Sequence, residues 1–487
     1  MLIRLLALAS VAPSLMVHSH STGHNASTLE ELYGPWVSAA TEIASSTESD
    51  FSRVVGLRWS AWEAPHWSGA IKPATEKDLQ KVISGFNFSG KQDPFIATNG
   101  GHGPKTGQGK FTGINVNLAN FNTVSIDTTN NLVTLGAGVK LWDVQRGLYD
   151  VGKEIQTGNS ICPGAIGVTI GAGIGMMTGM YGLMIDTLKS VRVVTAKGHV
   201  VKASATENSD LFWAVRGAGV NFGIATEATY GIHDQTNNGN VTAVNFIFTA
   251  ASNRTVWETL KKFDGNQPAK LSFQAVIKFD RTSNSPIIIV QVWYFGPLTE
   301  AQPYLDIFAA AVPATTSSSY LPQTDLYYQS ETAGVCDRGN IISANTLGFN
   351  QTDVSSYEAH FADLVAFYKA NPSFEGESVF QYYSNDVTRQ TPQSETAFPW
   401  RDIQVWWLTQ NKYTNASIGP KVDHLMRGQR TNLQKTSGFP TPHVYFNYAF
   451  GDEGAAAWYS AANLPKLRKL KAKWDPDFVF GNGAPLY

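Results

Sequence analysis

One histidine of this chain sits between glycines. In "FIATNGGHGPKTGQG", residues 95 to 109, a short apolar run ends in a loop carrying His102 between Gly101 and Gly103. Glycine has no Cβ, so its backbone N–H can approach an anion closely. Two more stretches share this texture, 164 to 182 and 217 to 223. Three such segments in one half of the chain point to a large phosphorylated cofactor. The dinucleotide fingerprint G-x-G-x-x-G is absent, because "GAGIGMMTG" and "GAGVNFG" have other spacings. The phosphate loop G-x-x-x-x-G-K-[ST] is absent too. Metal chemistry is poorly served. Three of the ten histidines precede residue 25, and the rest are scattered with no H-x-x-x-H or C-x-x-C pair.

The elements that must position these loops can be read from local pattern. "PATEKDLQKVISGF" predicts a capped amphipathic helix, with Glu76 and Asp78 in its first turn and Leu79, Val82 and Ile83 on its apolar face. "PFIATNGG" is a short strand running into the histidine loop, and a helix starts near Leu141. "LKSVRVVTAKGHVVKAS" is a hairpin turning at Lys197–Gly198. "NSDLFWAVRGAGVNFGIATEATYGIH" reads as helix, glycine loop and strand. Near residue 235 the texture changes to alternating strands such as "KLSFQAVIKFDR" and "SPIIIVQVWYFG", interleaved with helices, which describes an α+β unit on an antiparallel sheet. After residue 440 come "PHVYFNYAFGDE" and a basic helix, "NLPKLRKLKAKWDP".

A chain of 487 residues is long for one core, so two or more lobes are expected. The net charge of −2 gives no preference for nucleic acid or a membrane surface. The opening "MLIRLLALASVAPSLMVHSHSTGHNAS" combines Arg4 with an apolar run from Leu5 to about Val17, which reads as a secretory signal over 1–20, too short to span a bilayer. Six N-x-S/T sequons, at Asn25, Asn87, Asn240, Asn253, Asn350 and Asn415, agree with a secreted glycoprotein. Cys162 and Cys336 are the only cysteines, so at most one disulfide forms.

Five stretches together carry a resemblance. "NGGHG" (99–103), "PATEKDLQ", "GVTIGAGIGMMTGMYGLMIDTLKSVRVVTAKG", "DLFWAVRGAGVNFGI", and "YFNY" followed by "NLPKLRKLKAKWDPDFVF" occur in the order of the berberine-bridge-enzyme-like flavoproteins. That family has the vanillyl-alcohol-oxidase (PCMH) type of FAD fold. The resemblance covers about residues 58 to 480. It implies an α+β architecture in four parts: the signal (1–20), a PCMH-type FAD-binding domain (60–235), an antiparallel-sheet substrate domain (236–440), and a C-terminal segment (441–485) returning to the FAD domain.

The resemblance also implies roles. His102 becomes the covalent anchor of FAD, through the flavin 8α carbon. Asn99, Gly100, Gly101, Gly103, Gly107, Gly164, Gly167, Gly171, Gly173, Gly175 and Ile224 become cofactor contacts. Gly217, Gly219 and Gly223 shape the loop near the adenine half. Some relatives attach the flavin a second time through a cysteine. Here that position falls on Ser160, with Cys162 two residues later as a small buried thiol beside the cofactor, so a single link is expected. Tyr445 matches the first position of Y-x-N-Y, where relatives place a base or hydrogen-bond partner. Asn447, two residues on in a strand, would share its face. "FPWRDIQVWW" resembles the flavin-facing segment, with Arg401, Trp406 and Trp407 as pocket candidates. The family's carboxylate position holds Thr409 and Gln410, and Asp402 is poorly aligned, which leaves the base open.

The expected protein is a secreted FAD-linked oxidase acting on an alcohol or activated C–H of a small natural product, with O2 as acceptor. The alternatives are a mono- or oligosaccharide oxidase, a non-redox flavin-holding cyclase, or a secreted glycoprotein without turnover. No metal, nucleic-acid or membrane partner is expected.

Overall fold

The computed structural model describes residues 28–88, 94–332, 334–482 and 484–487. The signal expectation for 1–20 and the sequon at Asn25 lie outside the described residues, as does the side chain of Asn87.

The first lobe holds two sheets around one core. Four strands lie in the order Glu42–Ser45, His66–Lys72, Thr112–Asn117, Phe95–Thr98, the last three mutually parallel. Five antiparallel strands follow in the order Val124–Asp127, Leu132–Gly136, Ile224–Gly231, Leu188–Val194, Val200–Ser204. The helix Glu76–Phe88 forms as its pattern predicts and buries Leu79, Val82 and Ile83. The helix Leu141–Tyr149 adds Leu141, Val144 and Leu148 to the same core. The hairpin turns at Gly198, which needs its φ of +73°. The basic helix Leu464–Trp474 inserts Leu464, Leu467 and Leu470 into this core. Its buried Lys471 donates to the Asn221 carbonyl (2.8 Å) and pairs with Asp475. The C-terminal segment thus returns to the first lobe.

The second lobe is one seven-stranded antiparallel sheet, ordered Thr315–Pro322, Asn240–Thr249, Ser285–Tyr294, Leu271–Asp280, Glu377–Tyr383, Val405–Tyr413, Ile341–Phe349. Its period-2 alternation sorts side chains by face. On "LSFQAVIKFD", Leu271, Phe273, Ala275 and Ile277 enter a core covered by the helices Asn253–Lys261 and Val354–Ala370. Gln274, Val276 and Lys278 face the other way, onto a cavity. No helix among the described residues is long and apolar enough to cross a membrane.

Candidate cofactor and substrate site

A cavity of about 830 Å³ runs between the two lobes. One wall is the first lobe's glycine loops, the other the sheet's free face, and Tyr445, Asn447 and Tyr448 lie in it. This is the volume range of cofactor and ligand sites.

The histidine loop follows the strand Phe95–Thr98 and interlocks with the loop before Gly164. A Cβ on Gly100 would lie 2.6 Å from the Gly164 nitrogen, and one on Gly164 would lie 2.3 Å from the Asn99 side chain. Only glycine lets the two loops meet. Half-buried His102 stacks on Trp59, with ring centroids 4.3 Å apart and planes 13° apart. Trp59 is held by its indole N–H donating to the Val335 carbonyl at 2.8 Å. Arg338 donates to the carbonyls of Gly100 (3.2 Å) and Leu57. Burial, and then the charge of Arg338, push the His102 imidazole down to about 3.

Segment 334–340 therefore straps across the histidine loop, and its remaining tie is covalent. Cys162 is disulfide-bonded to Cys336. This corrects the expectation of a free thiol beside the cofactor. Cys162 is not a cavity wall residue, although its sulfur lies 3.6 Å from His102 Nε2. Ser160 does line the cavity, its hydroxyl 3.1 Å from the Cys162 sulfur. Both cysteines being paired, no thiol is free to form a second flavin link.

The disulfide closes a span of 174 residues. Cys336→Ser is expected to cost about 2–5 kcal/mol of stability, because loop-closure entropy returns to the unfolded chain. Urea unfolding should show a lower midpoint, with a steeper slope because the unfolded chain loses its cross-link and exposes more surface. An unchanged midpoint would mean the strap's hydrogen bonds suffice.

Asn99, Gly100, Gly101, His102, Gly103, Ser160, Gly164, Gly167, Gly223 and Ile224 all line the cavity. The remaining glycines do not, and all of them but Gly107 are small for a packing reason. A Cβ on Gly171 would lie 2.1 Å from Asn447 Oδ1, and one on Gly175 1.9 Å from the Thr157 carbonyl. Gly173 would strike Met184, Gly217 the Phe398 backbone and Gly219 the Ile170 side chain. Gly107 donates its N–H to Glu63 instead.

Tyr445 and Asn447 meet at the cavity, but not on a strand. His443 bonds once to the edge strand, accepting from the Gly348 N–H at 2.8 Å, and the chain then turns inward. Residues Phe446–Tyr448 form a 3-10 turn. The turn brings Asn447 Nδ2 to 2.8 Å from the Tyr445 oxygen. The N–H groups of Gly173 (3.2 Å) and Ile174 (3.4 Å) also donate to that oxygen. Three donors favour a phenolate, yet burial outweighs them and pushes the phenol up to about 12.

The sheet's alternation also corrects the pocket candidates on "FPWRDIQVWW". Trp407 points into the core and bonds Ser378. Trp406 is in register with Gln381 on the cavity side of its strand but packs against Tyr445, ring centroids 5.8 Å apart, and is not a wall residue. Arg401 is buried in a two-bond pair with Asp186 (2.8 and 3.1 Å). Asp402 and Thr409 are not wall residues, whereas Gln410 is. Sequence reasoning passed over Trp59, Arg338 and Lys105. Lys105 lines the cavity, donates to the Phe446 carbonyl at 2.6 Å, and is held down to about 8 by burial. Its place in the "HGPKTGQG" loop was the one available signal.

The donor set fits a flavin dinucleotide. Gly100 and Gly164 clear the wall of side chains, and Asn99 Nδ2 and Arg58 Nε are buried donors without a partner among the described residues. Both belong to residues lining the cavity.

Comparison with known proteins agrees. Residues 67–204 match the family described as FAD binding domain, and residues 444–485 that described as berberine and berberine like. The FAD-linked oxidoreductase afoF of Emericella nidulans is 44% identical, covering 94% of this chain and 95% of that protein. The FAD-linked oxidoreductase azaL of Aspergillus niger is 39% identical over 93% of this chain and 97% of its own length. In fold, the chain is similar to BBE-like 1 of Physcomitrella patens, with a TM-score of 0.83 at 21% identity, covering 95% of this chain and 100% of that one. It is also similar to the glucooligosaccharide oxidase of Acremonium strictum, with a TM-score of 0.81 at 22% identity over 93% of this chain and 99% of that one. That oxidase carries a 6-S-cysteinyl, 8α-N1-histidyl FAD. With two lobes enclosing a flavin-sized cavity and relatives matched over nearly their whole length, the chain belongs to the berberine-bridge-enzyme-like family of FAD-linked oxidoreductases.

Proposed function

We propose that this oxidoreductase is a secreted oxidase. Its FAD is held covalently by His102 through the 8α carbon, and it oxidises an alcohol or activated C–H of a small natural product. Bound FAD supplies the hydride acceptor, its N5, and the route from there to dioxygen. The observation that carries the reading is that one cavity is lined by both His102 and Tyr445. The sheet wall holds the substrate, and Tyr445 with Asn447 manages the proton of the oxidised group. Secretion is supported by the single disulfide, which belongs to an oxidising compartment, and by the sequon residue Asn415, exposed at the cap of a short turn.

A saccharide oxidase is the second reading, favoured by the polar side chains of the sheet wall and by the names of two fold neighbours, the Acremonium glucooligosaccharide oxidase and the Myceliophthora thermophila xylooligosaccharide oxidase. The two readings separate in one assay. Purified protein is mixed with a panel of benzylic and polyketide-type alcohols, and separately with mono- and oligosaccharides. Flavin bleaching without oxygen and peroxide release with oxygen are recorded. Turnover of the alcohols with stoichiometric peroxide is expected. Turnover of sugars alone would replace the first reading, and bleaching without peroxide would make the enzyme a dehydrogenase.

A further inference from the structure

The sheet face that closes the cavity carries an ordered row of carboxamides. Asn245 pairs directly with Gln291, Gln291 with Gln274, and Gln274 with Gln381, across four consecutive strands. All four line the cavity. The row is hydrogen-bonded in one direction. Gln381 Nε2 donates to Gln274 Oε1 (3.4 Å), and Gln274 Nε2 donates to Gln291 Oε1 (2.7 Å). One end is thus an acceptor, Gln381 Oε1, which is buried and has no hydrogen-bond partner among the described residues. The other end offers the Gln291 amide hydrogens as donors. A buried acceptor left unpaired is costly, so this end takes a donor brought close to it, with the Tyr448 hydroxyl beside it.

Two residues along the same strands, the face changes character. Ile289, Val276, Val379 and Leu408 form a second row, in register with one another. Residues two apart lie about 7 Å apart along a strand. The wall thus offers the carboxamides to an oxygenated edge of a ligand and an apolar strip to its middle, beyond which Lys278, Glu377 and Gln410 make the wall polar again. A pyranose carries hydroxyls around its whole ring, and the aliphatic row would leave part of them unpaired. The carboxamide row carries no charge of its own, so neutral oxygens satisfy it without leaving an ion unpaired.

Spacing narrows the class. Neighbouring strands are about 4.8 Å apart, so the Gln291 amide and the Asn245 carboxamide beside it present two groups at that interval, whereas Gln381 lies two strands from Gln291. Two oxygens in the 1,3 relation on a six-membered ring stand the same distance apart. Oxygens in the 1,2 relation are much closer, and in the 1,4 relation farther. Resting on the reading that this cavity seats the substrate of a flavin oxidoreductase, we propose that the row Asn245–Gln291–Gln274–Gln381 selects planar, partly apolar rings bearing two neutral oxygens in the 1,3 relation.

The test uses the flavin-bound protein and three isomers: 3,5-, 3,4- and 2,5-dihydroxybenzyl alcohol. Binding is read anaerobically from the perturbed flavin absorbance, so that autoxidation of the isomers contributes nothing. The 3,5 isomer is expected to bind about 10-fold more tightly than the others, the worth of one well-made hydrogen bond. Gln274→Leu and Gln291→Leu, made separately, should bring the three isomers to within about twofold of one another while the flavin spectrum stays unchanged. Equal binding of the isomers, no binding by any of them, or a preference surviving in both variants overturns the proposal. The oxidoreductase reading fails differently. In that case the flavin is missing, or no substrate of any class reduces it, whereas dithionite still does.

Discussion

His102→Ala is expected to abolish acid-stable flavin. The purified protein, precipitated with acid, should give a colourless pellet and a yellow supernatant, where the parent chain gives a yellow pellet. The peptide spanning His102 should lose the mass of the attached flavin. The direction follows from the histidine's surroundings. An imidazole attacks carbon only when neutral, and burial with Arg338 nearby holds this ring down to about 3, leaving it neutral throughout the working pH range. Its orientation is fixed by the stacked Trp59 ring, itself fixed by the Val335 carbonyl. Since Cys162 is bonded to Cys336, no second anchor can hold the flavin in the variant. A yellow pellet from His102→Ala would refute the covalent reading outright. Loosely retained flavin in both proteins would show that this member binds FAD by its loops alone.

What could be read in advance divides along a physical line. The helix Glu76–Phe88, the helix Leu141–Tyr149 and the hairpin turning at Gly198 are each specified by residues close in sequence, through caps, apolar periodicity and a left-handed turn position. These emerged where the pattern placed them. The glycine block was legible as a place of close approach but not by what approaches. Gly164 and Gly167 face the cavity, while Gly171 and Gly175 make room for Asn447 and Thr157. A glycine in a sequence looks the same in both cases.

The sheet wall was the least legible part. Asn245, Gln274, Gln291 and Gln381 each read alone as the polar residue of an alternating strand. Only the strand order, which runs out of sequence order, lines them up. The strap has the same origin, since nothing near Cys162 names Cys336 or Arg338 as its neighbours. Arg401 shows the converse. A lone arginine beside an aromatic segment suggests a pocket, until Asp186, more than two hundred residues earlier, takes both of its Nη groups.

Tyr445→Phe is expected to slow anaerobic flavin reduction by about 10²–10⁴-fold, the usual worth of a positioned proton acceptor. The phenol is pushed up to about 12, so at neutral pH it carries its proton. The phenolate fraction below that value grows tenfold per pH unit. The rate for the parent protein should therefore climb with pH to the limit of its stability. In the phenylalanine variant the rate should be low and flat. The three N–H donors at the Tyr445 oxygen sharpen the expectation, because they are already placed to receive the negative charge when the proton leaves. Asn447→Ala removes one of them while the backbone pair remains, so a smaller loss with the pH slope retained is expected. A slope that persists in Tyr445→Phe would assign the titration to another wall group. Lys105, held down to about 8, would reach a plateau near that value, and a single-turnover profile would distinguish it from a limb still rising at pH 10.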